Sequence, residues 1–156
     1  MILALLPALL LAVAPAPTFD AIRFFTGATE GTARMKVALG RTRAVRVQGR
    51  GRVEPDGTLV LDQVVAREGS PATRRSWRIR EDSPGHYTGT LTDAVGPITG
   101  ETVGNRLRLN YQAKHGVAVE QWLTLADDGR SAANSLTARK LGITVATLEE
   151  TIRKID

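Results

Sequence analysis

Cysteine is missing from this chain of 156 residues. The protein therefore forms no disulfide, has no thiolate nucleophile or thiolate metal ligand, and cannot carry a lipid on an N-terminal cysteine. Aromatic residues are scarce, at 4% of the sequence, so aliphatic side chains must do most of the packing. The two histidines, His86 and His115, lie beside turn glycines without a partner at metal-ligand spacing, so we predict no metal site.

Motifs that identify common enzymes and cofactor-binding proteins are also missing. The sequence has no Gly-x-Ser-x-Gly elbow, no phosphate-binding glycine loop and no dinucleotide fingerprint, so we predict no cofactor. Asp93 and Glu101 are a candidate pair of carboxylates for acid–base chemistry, because burial can raise the pKa of such a group. Nothing else in the sequence completes a mechanism, and Asp93 also suits a turn cap. We favour a protein that is not an enzyme.

The first 19 residues form an apolar leader without charge. Ile2–Val13 resembles the hydrophobic region of a signal peptide, and residues 12–14 or 14–16 offer small-residue cleavage sites. The leader has no basic start and a proline follows each candidate cut, so it is either removed or kept as an uncleaved apolar segment. Its run of about 13 residues is shorter than the ~20 that a spanning helix needs. We predict an exported protein, with residues 20–156 as a single domain.

The charge balance of the chain is basic, with a formal net charge of +5. This balance predicts anionic surroundings, such as a membrane surface or an acidic polysaccharide. Export, and the lack of aromatic residues among the clustered arginines, argue against a nucleic-acid partner. The sequence identifies no protein partner. The arginines that can form a basic face, or simply the solvated side of a strand, are Arg41, Arg43, Arg46, Arg50 and Arg52.

Segments rich in β-branched residues alternate with Gly, Pro and Asp turn signals about every eight to twelve residues. Such short connections permit only antiparallel neighbours. The pattern predicts an all-β fold, a single antiparallel meander of about ten strands. The predicted strands are 32–38, 43–53, 58–67, 73–80, 86–92, 98–103, 105–114, 117–126, 131–138 and 144–154.

The last predicted strand, 144–154, also has features of a helix. Thr147 and Glu150 have the spacing of a capping box, and Glu149 and Arg153 have that of a helical ion pair. The many β-branched residues of the segment favour a strand instead. We predict a strand, because a last strand that pairs with the first removes the exposed edges of the sheet.

Residue parity assigns the two faces of these strands. Val45 and Val47 point to one side while Arg46 points to the other, so one face is core and the other is basic. Gly96, Gly100 and Gly104 share parity as well, and in one extended strand they would lie on the same face. Such glycines either permit the bends that close a small barrel or leave room for a ligand beside the backbone.

Short motifs follow one another in a fixed order: Phe24–Gly27, Asp56–Asp62, Arg75-x-Trp77, Asp93–Asn105, then Trp122, Asn134, Lys140 and Gly142. Over about residues 22–154, this order resembles a family of proteobacterial envelope proteins known as domain of unknown function 3833. The resemblance implies a lipocalin-like β-barrel of unknown activity, periplasmic or membrane-associated in a Gram-negative bacterium. Members often carry a lipid, which this chain cannot, and Gln121-Trp122-Leu123 replaces a more acidic signature.

Large aromatic side chains in such a barrel can line an apolar cavity, with a few polar groups to orient a ligand. Ordinary core packing is the alternative for each of them. The candidate ligand-binding residues are Arg75, Trp77, Asp93, Asn105, Tyr111, Trp122, Asn134 and Lys140.

Three functions fit these observations. The first is an envelope protein that binds a small apolar or amphipathic ligand, such as a fatty acyl chain, inside the barrel. The second is an enzyme that acts on an envelope lipid, with Asp93 or Glu101 as acid or base. The third is a filled barrel that binds anionic envelope partners through its basic face.

Overall fold

The computed structural model describes residues 10–15 and 17–156. They form one closed barrel in which every strand pairs antiparallel with its sequence neighbours and β10 closes on β1. The predicted all-β meander of ten strands is therefore confirmed. Its elements are α1 (Ala21–Phe25), β1 (Gly27–Val37), β2 (Thr42–Val53), β3 (Leu59–Arg67), β4 (Thr73–Ser83), β5 (His86–Leu91), β6 (Ile98–Val103), β7 (Arg106–Ala113), a 3₁₀ turn (Lys114–Gly116), β8 (Val117–Leu125), β9 (Ser131–Lys140) and β10 (Ile143–Lys154).

The ambiguous last segment is a strand. It runs antiparallel to β1 from the pair Thr29 and Lys154 to the pair Val37 and Ala146. This pairing satisfies the backbone groups of both strands, which would otherwise form the two edges of an open sheet. Pairing with β1 therefore keeps this segment a strand, although the spacing of some of its residues would also suit a helix.

Parity separates the interior of the barrel from its surface, as the sequence predicts. In β2 the side chains of Val45 and Val47 are buried, whereas Arg46, Arg50 and Arg52 are exposed. The same alternation runs through β8, where every second residue from Val119 to Leu125 is buried. Inward residues of β3–β10 pack with α1 into the main core, and inward residues of β1, β2 and β3 form a second, smaller cluster.

One end of the barrel is closed by α1, and we call it the closed end. Asp20 caps this helix by accepting a hydrogen bond from the Arg23 amide at 3.0 Å. All three phenylalanines of the chain pack here, with ring centroids 5.4 Å apart for Phe19–Phe24 and 4.9 Å apart for Phe24–Phe25. Phe19, the last residue of the apolar leader, therefore packs into the closed end of the barrel.

The opposite end of the barrel, which we call the mouth, has no helix across it among the described residues. Five connections surround it, at residues 38–41, 68–72, 92–97, 114–116 and 141–142. Residues 1–9 and Ala16 of the predicted leader lie outside the described residues. Within the described part of the chain, no helix is both long and apolar enough to cross a bilayer.

Of the two roles that the sequence leaves open for the three glycines of equal parity, the structure shows the role in bends, because the three do not share one strand face. Gly96 and Gly104 lie in the turns on either side of β6, with φ of +83° and +59°, and only Gly100 lies within the strand. Positive φ suits glycine because a Cβ atom would clash with the backbone in that conformation. These two glycines therefore end β6 and do not open a furrow along it.

Candidate functional site

Polar side chains gather in the middle of the barrel, where an aliphatic core would be the usual filling. They come from β3, β4, β8, β9 and β10, and each occupies an inward position of its strand. Trp77 and Tyr111 lie beside them. We call this group the polar cluster, and its members are Gln63, Arg75, Gln121, Asn134 and Glu150.

Gln63 organises one side of the polar cluster. Its Oε1 atom accepts hydrogen bonds from Arg75 Nε at 2.7 Å and from Trp77 Nε1 at 2.9 Å. Gln63 and Arg75 are direct partners in the β3–β4 register, so the sheet itself brings them together. The Arg75 guanidinium carbon lies 5.7 Å from the centre of the Trp77 ring, a distance at which cation and π-system attract. These contacts with Gln63 and Trp77 hold the Arg75 side chain in one orientation.

A second contact fixes the aromatic pair. The rings of Trp77 and Tyr111 meet edge to face, with centroids 5.8 Å apart and an interplanar angle of 88°. Gln121 Nε2 donates to the Tyr111 hydroxyl at 3.4 Å, a long hydrogen bond. The two aromatic side chains therefore form a rigid wall beside Arg75.

Some hydrogen-bonding capacity of the polar cluster is unused within the described part of the protein. Asn134 is 5% exposed, and its Oδ1 atom is buried without a partner. Arg75 uses Nε, while its two terminal nitrogens make no hydrogen bond to any described residue. Buried polar groups are almost always paired, so the free acceptor of Asn134 suits a molecule that enters the cluster, and the unpaired donors of Arg75 line the same cavity.

Burial also changes the proton affinities of the cluster. It raises the pKa of Glu150, and the charge of Arg75 and the Asn134 amide oppose that shift only in part. The same burial lowers the pKa of Arg75, which stays charged because an arginine starts so high. It raises the pKa of the Tyr111 hydroxyl as well. Glu150 can thus hold a proton more readily than an exposed glutamate.

The enclosed space at the polar cluster is small. Its volume is about 30 Å³, enough for one or two water molecules and far below the ~300 Å³ or more of an ordinary ligand pocket. The side chains around it mix polar and apolar groups: Phe25, Leu61, Gln63, Arg75, Trp77, Ile79, Leu109, Gln121, Leu123, Asn134, Glu150 and Ile152.

The mouth side of the interior is apolar along β1, β2 and β3. Ala33, Val45, Val47 and Val65 are buried there and form a cluster of their own. Met35 and Leu148 pack against it and are only partly buried. An apolar wall therefore leads from the polar cluster towards the mouth, and we call it the apolar wall.

Comparison with known proteins identifies the family. The pattern of the family described as "Protein of unknown function (DUF3833)" matches residues 12–154. The chain belongs to this family. The DUF3833 sequence has no match among functionally curated proteins.

Two solved structures are similar to this DUF3833 barrel in fold. An S-type phycobiliprotein lyase, CpeS, from Guillardia theta superposes with a TM-score of 0.69 at 7% identity, over 86% of this chain and 90% of that chain. A protein of unknown function from the DUF3598 family of Nostoc punctiforme PCC 73102 superposes with a TM-score of 0.66 at 12% identity, over 90% of this chain. The match spans about half of that second protein, 51% of its chain. Both likenesses concern the fold alone.

Four of the sequence-predicted site residues meet inside the DUF3833 barrel. Arg75, Trp77 and Asn134 line the small cavity, and Tyr111 packs against Trp77 beside it. Asp93 lies in the exposed β5–β6 connection at the mouth, close enough to act electrostatically on Arg75.

The structure places three other candidates away from the interior cavity. Trp122 has outward parity on β8, with the Arg106 guanidinium carbon 4.1 Å from its ring centre. Asn105 lies in the β6–β7 turn at the closed end, where Nδ2 donates to the Leu125 carbonyl at 3.4 Å. Lys140 is exposed at the mouth end of β9. The expected interior position of Trp122 is therefore corrected, because the parity of β8 turns it outward.

The candidate carboxylate pair is not assembled either. Glu101 is exposed on the outer face of β6, opposite Arg108 in the register, whereas Asp93 lies in the mouth connection. Acid–base cooperation requires both groups at the same reacting atoms. The arrangement thus gives no support to a mechanism that uses both.

Three members of the polar cluster were missed by reasoning from the sequence: Gln63, Gln121 and Glu150. Each is a polar residue at an inward position whose nearest inward neighbours on the same strand are apolar. That break in alternation is the signal that would have identified Gln63 and Gln121. Glu150 was harder to find, because its segment also has helical spacing.

Proposed function

We propose that the barrel binds one small amphipathic molecule, whose anionic group contacts Arg75 and whose apolar part runs along the apolar wall to the mouth. The proposal rests mainly on the position and the free hydrogen-bonding capacity of Arg75. Arg75 is fixed by Gln63 and Trp77 and keeps two terminal nitrogens free of hydrogen bonds to the described residues. A desolvated guanidinium with free nitrogens is suited to bind a carboxylate or phosphate through two hydrogen bonds.

The neighbouring groups support an anionic headgroup. Because burial raises the pKa of Glu150, this side chain can carry a proton and donate it in a hydrogen bond to the ligand. The free Oδ1 of Asn134 can accept from a hydroxyl of the same headgroup. The polar cluster therefore offers hydrogen-bond donors and one acceptor around the positive charge of Arg75, whose position is fixed.

The size of the cavity restricts what the interior can hold. A space of about 30 Å³ fits no more than a group as small as a carboxylate, and it excludes an acyl chain that is wholly enclosed. The tail of the ligand must leave towards the mouth, where Met35 and Leu148 are partly exposed. This favours an amphipathic ligand over a purely apolar one.

We further propose that the protein acts outside the cytoplasm, in the cell envelope. The uncharged apolar leader of 19 residues supports export. Amphipathic lipids are abundant there, so this location agrees with the class of ligand proposed.

Dodecanoate and dodecanol are suitable probes, since they share an alkyl chain and differ in charge. The full chain with Trp122→Phe retains Trp77 as its single tryptophan, and its fluorescence then reports on the polar cluster alone. We expect saturable quenching or enhancement by dodecanoate and a weaker response to dodecanol. Arg75→Gln in the same background should weaken dodecanoate binding at least tenfold, because a charge-assisted hydrogen bond contributes roughly 1.5–3 kcal/mol.

Arg78→Gln is the matched control. Arg78 is three residues further along β4 but points outward, where it pairs with Glu54 at 2.8 Å. This variant should bind dodecanoate like the parent. Equal affinities of the Arg75→Gln and Arg78→Gln variants, or no response of Trp77 to dodecanoate at all, would overturn the proposal.

A further inference from the structure

Two neighbouring hairpin tips at the mouth have an unusual composition. The β1–β2 tip, residues 36–43, and the β9–β10 tip, residues 139–146, contain five cations and no acidic residue. The tips are adjacent in space, because β1 pairs with β10 and the Ala38 amide donates to the Val145 carbonyl at 2.9 Å. We call these two segments the mouth rim. Its cations are Lys36, Arg41, Arg43, Arg139 and Lys140.

Large apolar side chains project from the mouth rim into solvent. Leu39 and Leu141 are essentially fully exposed, at 108% and 94%, and Ile143 is 69% exposed. Scattered apolar residues on a surface are normal, but here they cluster on adjacent tips. Nothing in the described structure covers them.

The backbone conformation at both tips is one in which leucine is unusual. Leu39 has φ of +64° and Leu141 has φ of +51°, the left-handed region that bulky side chains avoid. Leu141 precedes Gly142, whose φ is +76°, so both central residues of this turn have the positive φ of a type I′ turn. Asn, Asp or Gly ordinarily occupies the first of these positions. Local stability therefore does not account for the leucines.

The charge of the mouth rim differs from that of the barrel wall. On the wall, four outward arginines are matched by carboxylates at 2.6–3.1 Å: Arg46 with Glu30, Arg52 with Asp62, Arg78 with Glu54, and Arg108 with Glu120. None of the five rim cations forms a salt bridge to a described residue. Outward wall arginines such as Arg50, Arg74 and Arg80 are unpaired within the described residues as well, so the mouth rim differs in having five cations and no acidic residue beside the exposed leucines.

We propose that the mouth rim docks the barrel on an anionic lipid bilayer, with Leu39, Leu141 and Ile143 inserted at the boundary between headgroups and acyl chains. Apolar side chains surrounded by cations fit such a surface, because burial and attraction to anionic headgroups act together. Docking in this direction turns the mouth, and the apolar wall behind it, towards the lipid. The proposal goes beyond ligand binding in the interior and can hold without it.

The absence of native cysteine permits a direct test in the full chain. Leu141→Cys, Leu39→Cys and Val53→Cys are each labelled with the environment-sensitive fluorophore NBD. Val53 is the matched control, because it is also an exposed apolar residue but lies at the closed end of β2. Vesicles consist of phosphatidylcholine alone or of equal parts phosphatidylglycerol and phosphatidylcholine, and no other ligand is added.

We expect a blue shift and a gain in intensity for the labels at positions 141 and 39 with the anionic vesicles, and no change at position 53. Any binding through the apolar leader would not produce this difference between the two ends. No change at position 141 with anionic vesicles would overturn the proposal. So would equal changes at positions 141 and 53, or equal responses to the two kinds of vesicle.

A second test removes charge and leaves the leucines. In the double variant Arg41→Gln and Arg43→Gln, the affinity for anionic vesicles, measured with the label at position 141, should fall roughly fivefold per cation removed. This is the contribution of one basic residue near an anionic membrane. Arg46→Gln combined with Arg52→Gln is the control, because these arginines are paired with acids on the wall. Equal losses in the two double variants would contradict a role specific to the mouth rim. Binding of dodecanoate without vesicles is measured separately, so failure of the interior site leaves this result interpretable.

Discussion

The turns at the closed end and at the mouth of this barrel place different residues at positions of positive φ. At the closed end, Gly57 takes the positive φ of its turn and Asp56 accepts a hydrogen bond from the Thr58 amide at 3.0 Å. Asp128 accepts from the Arg130 amide in the same way, at 2.9 Å. At the mouth, Leu39 and Leu141 occupy positive-φ positions and face solvent. The closed end therefore follows the chemistry that stabilises turns, whereas two of the five mouth connections place leucine where glycine, asparagine or aspartate is usual.

The two ends differ in packing and charge as well. Lys154 Nζ donates to the carbonyls of Phe24 at 2.7 Å and Thr26 at 2.8 Å, so β10 holds the end of α1 in place. A Cβ atom at Gly51 would overlap the carbonyl oxygen of Phe25, which shows how closely this backbone lies against the sheet. The closed end is therefore the more closely packed of the two, and we expect it to contribute more to the stability of the fold than the mouth does.

The largest expected effect that tests this contrast is the removal of a buried phenylalanine at the closed end. Phe24→Ala deletes a buried ring that packs against both Phe19 and Phe25, and we expect a loss of about 3–5 kcal/mol in the free energy of unfolding. Leu39→Ala at the mouth should change it by less than about 0.5 kcal/mol. Urea denaturation of both variants measures the difference. Similar losses at the two ends would contradict the division between them.

An intermediate effect is expected at the polar cluster between the two ends. Because the pKa of Glu150 is raised in the folded protein, the folded state binds its proton more tightly than the unfolded state does. The resulting stabilisation is full below the ordinary glutamate pKa and is lost as pH rises through the raised value. Glu150→Gln removes this dependence, so the variant should gain stability relative to the parent between about pH 4 and about pH 8.

Urea denaturation at both pH values checks that prediction. Glu149→Gln is the control, because Glu149 points outward and accepts a hydrogen bond from the exposed Ser135 hydroxyl at 2.6 Å. A constant difference between the Glu150→Gln variant and the parent across this range would show that Glu150 is not destabilised by burial of its charge.

The smallest expected effect concerns the leucine at positive φ in the β9–β10 turn at the mouth. Leu141→Asn places a residue that tolerates positive φ at the first central position of the turn. We expect stability to rise by up to about 1 kcal/mol, since an ordinary side chain in the left-handed region costs roughly 1–2 kcal/mol. Thermal denaturation measures this gain. A loss of stability would mean that Leu141 makes a structural contact, and the case for an exposed binding residue would fail.

Much of the barrel can be predicted from the sequence, because alternation and turn chemistry act locally. The predicted strands 98–103 and 43–53 match β6 and β2 to within one residue, and closure of β10 on β1 follows from the avoidance of free edges. Gly96 and Gly104 lie in turns just outside the predicted strand 98–103, which agrees with the role in bends that the sequence offered for them.

The candidate site was predictable only in part. Arg75 and Trp77 could be identified from one strand, since they share inward parity on β4. Glu150 and Gln63 reach the same cavity from β10 and β3, and only the shear of the closed barrel determines that they meet there. The outward position of Trp122 follows from the register of β8, which the residue type does not reveal.

Native mass spectrometry of the full chain recovered from its own cells is the most direct test of a ligand held by Arg75. We predict that the parent carries one amphipathic, anionic molecule per chain, that Arg78→Gln retains it, and that Arg75→Gln loses it. The same adduct on the Arg75→Gln variant would contradict this assignment. So would a parent that carries no adduct and takes up no added dodecanoate.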